Sequence, residues 1–122
     1  MIFYLPYPIS NNRNARFGNG KVYQSKEAKA YKQQVAWMAK AVIGCNPPLE
    51  CDVSVKMWLH PKMNKDGTAS KTIQDLDNVC KVAFDALNGI AWVDDKQIKK
   101  LYIEVSTPMK DGGLTVQVVC LS

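Results

Sequence analysis

Four aspartates stand in two tight pairs. Asp75 and Asp77 are two residues apart, and Asp94 and Asp95 are adjacent. Carboxylates that share a site repel, at ~4 kcal/mol for two unit charges ~4 Å apart in an effective dielectric near 20. If the pairs meet, something positive must compensate. Oxygen donors alone suit a hard cation, Mg²⁺ or Mn²⁺. Lys81 follows Asp77 by one helical turn and on the same side. A plainer reading is open as well: Asp75 or Asp77 caps a helix, Asp77 pairs with Lys81 on the surface, and Asp94-Asp95 sits in a solvated turn.

The elements that must position these residues are legible. Leu76, Cys80, Ala83, Phe84 and Leu87 recur at helical spacing and form one apolar stripe, while Asp77, Lys81, Asp85 and Asn88 fall on another face. Asn88-Gly89 predicts the helix end, with Gly89 just past it. Asp75-Leu-Asp77 enters that helix where backbone N–H groups favour negative charge. A helix of this length carries the chain roughly 20 Å away. An extended run over residues 90–93 is expected to bring Asp94 and Asp95 back to the first pair.

Residues 60–74 show no periodicity and contain Pro61, Gly67, Lys62, Lys65 and Lys71. A long loop of this kind is usually functional or mobile. A basic arm leading into acidic residues suits a metal-dependent enzyme acting on DNA or RNA, because its lysines draw in phosphates that carboxylates alone repel. Near the N-terminus, residues 10–20 form a second polar loop, holding Asn12, Arg13 and Arg16 with Phe17 and Tyr23 close by. Such a loop can grip phosphates and stack on bases, or simply be solvated surface.

Around these stretches the chain predicts a strand over residues 2–7. A helix follows from an N-cap at Ser25 to Ile43, with a core stripe of Ala28, Tyr31, Val35, Met38 and Val42. Residues 50–59 alternate as a strand with Cys51, Val53, Val55, Met57 and Leu59 on one face and Trp58 on the polar side. Residues 96–107 read as a strand with Leu101, Ile103 and Val105 on one face. A turn then leads to a strand through Leu114, Val116, Val118 and Cys120, and these last two strands read as an antiparallel hairpin. The order is β-α-β-α-β-β, an α+β domain with two helices packed on one side of a mixed sheet.

The chain has 122 residues and fits one domain spanning 1–122. Its net charge of +5 suits a polyanionic partner without requiring one. The cysteines, Cys45, Cys51, Cys80 and Cys120, include no C-x-x-C, and His60 is the single histidine, which excludes a zinc site of standard spacing. They read as small apolar residues. No secretory signal pattern and no run of transmembrane length is present. A reducing cytoplasm without membrane attachment is the expected compartment.

Asp75-Leu-Asp77-Asn78 with Lys81, Asp85-Ala-Leu87 and Asp94-Asp95-Lys-Gln97-Ile98 resembles the RusA family of Holliday junction resolvases. Pro6-x-Pro8-x-Ser10-x-Asn12 is similar to the family as well, and so are length and element order. Gln74 stands where the family often has a basic residue. The resemblance implies a homodimeric, Mg²⁺-dependent endodeoxyribonuclease that nicks four-way DNA junctions symmetrically. It implies metal ligation by Asp75, Asp77 and Asp95 and a catalytic role for Lys81. Two other functions are weighed against it. A non-catalytic branched-DNA-binding module would not need these four residues intact, and a Mg²⁺ titration on a junction separates the two. A metal enzyme of free nucleotides, or a nuclease of other branched DNA, would show a different substrate preference.

Overall fold

Stripes and alternations become eight elements in the computed structural model, which describes residues 1–9, 15–18, 21–24 and 26–121, with backbone alone over 15–18 and 21–24. In chain order they are β1 (Ile2–Leu5), β2 (Ala15–Gly18), β3 (Lys21–Gln24), α1 (Lys26–Ile43), β4 (Val53–His60), α2 (Leu76–Leu87), β5 (Ile98–Val105) and β6 (Gly113–Cys120). Asp95–Gln97 adds one 3-10 turn before β5. The polar N-terminal stretch thus contains a two-stranded hairpin, with Arg16 opposite Tyr23 in its register. Asn12, Arg13 and the Ser25 cap lie outside the described residues.

Strand β4 takes the centre of a four-stranded sheet of order β1-β6-β4-β5. Its inward residues Val53, Val55, Met57 and Leu59 are fully buried, and full burial of such a side chain contributes about 1.5–3 kcal/mol. It pairs antiparallel with β6 and parallel with β5. The expected β5–β6 hairpin is therefore wrong, because β4 lies between the two strands. The helical crossover through α2 returns β5 parallel to β4. The connection back then crosses the end of β4, where Ser106 N–H donates to Leu59 O at 2.8 Å and Met109 N–H to Pro61 O at 2.9 Å.

Both helices feed one core with the sheet. Tyr31, Val35, Ala39 and Ile43 come from α1, and Val79, Val82, Ala83, Ala86 and Leu87 from α2, against Phe3, Leu5 and the inward residues of β4 and β6. The α1 stripe differs from expectation beyond Val35: Ala39 and Ile43 are buried, while Met38 and Val42 are exposed. Side chains four apart lie on one face, and the packing surface selects position over side-chain size. Burial pushes the Tyr31 phenol far up from its ordinary pKa, and its hydroxyl donates to Pro6 O at 2.9 Å. Helix α1 stops at Gly44, whose φ of 68° suits a residue without a Cβ.

The cysteines divide. Cys80 is buried and Cys45 exposed, both free, but Cys51 and Cys120 are joined as a disulfide across a sequence separation of 69. Reading all four as small apolar residues is corrected for that pair. Spacing along the chain carries no sign of it, since the partners meet only when β6 pairs with β4.

Candidate active site

The N-terminal end of α2 presents the first acidic pair. Asp75 is the N-cap residue, with φ −61° and ψ 137°, yet its side chain makes no capping hydrogen bond. The capping role offered for it on sequence grounds is therefore unfilled, and the carboxylate is exposed, as is that of Asp77. Asp77 lies close enough to Cys80 to act on it. Burial first, and the Asp77 charge after it, push that thiol up, which suits an inert core residue. Lys81 is exposed on the same helix. Asp85, on the same helix, is engaged by Lys32 of α1 at 2.5 Å.

The position of this helix end is fixed from behind. Gln74 N–H donates to the Tyr7 hydroxyl at 3.2 Å, and its side-chain amide donates to Pro8 O. Asn78 Nδ2 donates to Gln74 Oε1. Gln74, where the family often carries a basic residue, thus ties the first turn of α2 to the segment after β1. Asn78 is buried, and its Oδ1 has no hydrogen-bond partner among the described residues.

Residues 60–74, expected as a loop without structure, fold back on themselves. Asn64 N–H donates to Thr68 O at 2.8 Å, Ser70 N–H to Lys62 O at 2.8 Å, and Gly67 N–H to Asn64 O at 3.0 Å. Thr68 donates twice to the Asp66 carboxylate, from its hydroxyl at 2.6 Å and its N–H at 3.0 Å. These bonds, the hydroxyl's first, hold Asp66 below the usual carboxylate range. The result is a small turn with Lys65 exposed at its tip and Lys71 exposed at its foot. Lys62 lies 5.6 Å from the centre of the Tyr7 ring, a cation–π contact. Both line a cleft of about 590 Å³ together with Pro8, Thr72, Gln74 and Asp111. The cleft therefore reaches the residue next to Asp75. His60 is structural: its Nδ1 is 2.9 Å from Thr107 O and its Nε2 2.8 Å from the Thr115 hydroxyl.

The second acidic pair is held by side chains. Asp94 caps the 3-10 turn through a capping box: its Oδ1 accepts from Lys96 N–H at 3.1 Å, and Gln97 Oε1 accepts from Asp94 N–H at 2.9 Å. The Lys96 N–H is the main reason the Asp94 carboxyl sits below its ordinary pKa. Gln97 Nε2 also donates to Leu49 O at 2.7 Å and Cys51 O at 2.8 Å, which pins the turn to the segment before β4. Asp95 Oδ2 accepts from Asn88 Nδ2 at 3.3 Å.

That last bond locates Asp95 at the C-terminal end of α2. The expected extended return over residues 90–93 does not form. Instead Gly89 N–H donates to Trp92 O at 2.7 Å and Ala91 N–H to Leu87 O at 3.0 Å, closing a tight turn. Asp75 and Asp95 are thus at opposite ends of a helix of 12 residues, about 18 Å long at ~1.5 Å per residue. Among the described residues, no three His, Cys, Asp or Glu side chains are grouped to hold a metal ion. The donor chemistry still fits a hard divalent cation: at the start of α2, exposed Asp75, free of capping, and exposed Asp77, with an amide oxygen in the same turn that has no partner among the described residues, and at its end the half-buried Asp95 carboxylate. Gln74, Asn88 and Trp92 were not singled out from sequence for a role at the site. An Asn at a helix end reads only as a stop signal until its neighbours are known.

The model of the family described as endodeoxyribonuclease RusA matches residues 4–119. The chain is 34% identical over 113 residues to crossover junction endodeoxyribonuclease RusA of Escherichia coli strain K12, covering 89% of this chain and 84% of that protein. Identity and coverage are the same for the proteins of that name from Enterobacteria phage 82 and from Shigella sonnei strain Ss046. With nearly its whole length matched, the chain belongs to the RusA endodeoxyribonuclease family.

Proposed function

We propose that residues 1–122 form a single nuclease domain that resolves Holliday junctions, a Mg²⁺-dependent crossover junction endodeoxyribonuclease acting in the cytoplasm as a homodimer. The observation that carries the chemistry is the exposed Asp75 carboxylate, which stands at a helix start without capping it. Asp75, Asp77 and Asp95 hold Mg²⁺, for which Mn²⁺ can substitute. The bound cation supplies charge neutralisation at a phosphate oxygen and lowers the cost of forming hydroxide from water. Lys81, one turn below Asp77, offsets the negative charge that builds up as the phosphodiester is attacked or as the leaving oxygen departs. Lys62 in the cleft wall and Lys65 and Lys71 of the 60–74 turn, with Asn12, Arg13 and Arg16 of the N-terminal stretch, grip the DNA backbone.

The separation of the acids along α2 supports the homodimer. Two copies related by a two-fold axis, their α2 helices antiparallel, bring the C-terminal end of one to the N-terminal end of the other and so reunite the donor set. The sheet offers a surface for a second copy. Leu101 and Val105 of the edge strand β5 lie beside buried Val55 and Leu59 of β4, yet are 47% and 43% exposed. Two sites related by that axis match the symmetry of a four-way junction and give paired nicks with 5′-phosphate and 3′-hydroxyl ends. No helix among the described residues is long and apolar enough to cross a membrane.

The test compares a labelled four-way junction, a linear duplex and a flap, each with Mg²⁺ and with chelator. Paired symmetric nicks confined to the junction and to Mg²⁺ are expected. Equal cutting of all three substrates, or cutting in chelator, overturns the proposal.

A further inference from the structure

We propose that Asn88 and Trp92 are positioning residues for Asp95: the buried indole fixes the Asn88 amide, and the amide fixes the carboxylate in the orientation a divalent cation needs. The inference rests on the cation-binding reading of Asp95 given above. Trp92 is fully buried, and its ring meets Phe84 edge-on at 6.0 Å. Its Nε1–H has no access to water, and it donates to Asn88 Oδ1 at 2.6 Å. An indole nitrogen only donates, so this bond decides which way round the Asn88 amide sits. With its oxygen toward Trp92, Nδ2 faces Asp95 Oδ2 at 3.3 Å. The reverse orientation would set two donors face to face and leave the carboxylate without its partner.

The backbone holds the two ends of this relay in one rigid turn. Asn88 N–H donates to Phe84 O at 2.9 Å, Leu49 N–H to Ala91 O at 3.0 Å and Val93 N–H to Leu49 O at 3.2 Å. None of these bonds uses the Asn88 side chain. Its φ of −60° and ψ of 131° are open to any residue. The helix end therefore does not require asparagine, whereas the link from a core indole to an acid does. Ligating carboxylates are oriented by such outer partners, whose loss weakens metal affinity by about 10–100-fold.

The test titrates Mn²⁺ into the full chain, read by calorimetry and by electron paramagnetic resonance, for wild type, Asn88→Ala, Trp92→Phe, the double variant and Asp95→Asn. Thermal unfolding is followed in chelator. Asn88→Ala should weaken Mn²⁺ binding by the folded protein by about 10–100-fold, and should separately lower the unfolding midpoint in chelator, because the buried Trp92 N–H loses its acceptor. Trp92→Phe should also weaken it, but add nothing in the Asn88→Ala background, because the indole acts only through the amide. Wild-type Mn²⁺ affinity in Asn88→Ala, or an undiminished Trp92→Phe effect in the double variant, overturns the relay. Should Trp92→Phe not fold, Asn88→Ala decides alone. Asp95→Asn separates the two levels. If it retains wild-type Mn²⁺ binding, the cation-binding reading of Asp95 fails. If it loses binding while Asn88→Ala keeps it, the positioning claim alone fails.

Discussion

At the start of α2 the acidic side chains are exposed and Asp75 makes no cap bond; at the end of the same helix they are braced from several sides. Asp75 and Asp77 owe their place to backbone: a helix N-terminus, tied down behind by Gln74 and Asn78. Asp94 and Asp95 owe theirs to side chains: the Asp94–Gln97 capping box, the Gln97 bonds to Leu49 and Cys51, and the Asn88 amide. The physical reason lies in the termini. The positive end of a helix dipole favours carboxylates by itself, while the negative end disfavours them. Acids placed past a helix C-terminus need explicit donors, and the chain supplies them.

The comparison is tested most severely by removing charge at the unbraced end. Asp75→Asn is expected to lower junction cleavage in Mg²⁺ by about 10³-fold or more, with folding and junction binding intact, because no capping bond is lost. Normal cleavage by that variant would end the catalytic assignment. Lys81→Ala should cost about 10²–10³-fold in the cleavage rate, read in single-turnover assays with junction affinity measured separately. A loss confined to affinity would move Lys81 from catalysis to DNA grip.

At the braced end the expected effects are on stability. Gln97→Ala removes the Gln97 donor from Cys51 O and from Leu49 O, which keeps the Val93 N–H, and should cost about 1–3 kcal/mol, measured by urea denaturation. An unchanged midpoint would show that the brace is dispensable. The Asp94 carboxyl is held below its ordinary pKa, chiefly by the Lys96 N–H. The folded value is the lower one, so its contribution is full above the unfolded pKa near 3.9 and is lost as pH falls through the folded value. Acid unfolding of Asp94→Asn should therefore be less steep below about pH 4. Smallest of all, Lys65→Ala at the tip of the 60–74 turn should weaken junction binding modestly and reduce the salt slope of the affinity by about 1. An identical slope would remove Lys65 from the DNA interface.

Local chemistry made the acids, the lysine and both helices readable in advance. The alternation of Val53, Val55, Met57 and Leu59 and the stop at Gly89 are written in neighbouring residues, because side-chain period and backbone conformation are short-range properties. Strand order, the Cys51–Cys120 bond, the folded 60–74 turn and the place of Asp95 at the far end of α2 depend on which segments meet across the sheet. A run such as residues 90–93 carries no mark of whether it extends or turns until Trp92 finds the core and Leu49 pairs with it. Sequence thus determined which groups could do chemistry, and tertiary packing alone decided that one chain keeps them a helix length apart.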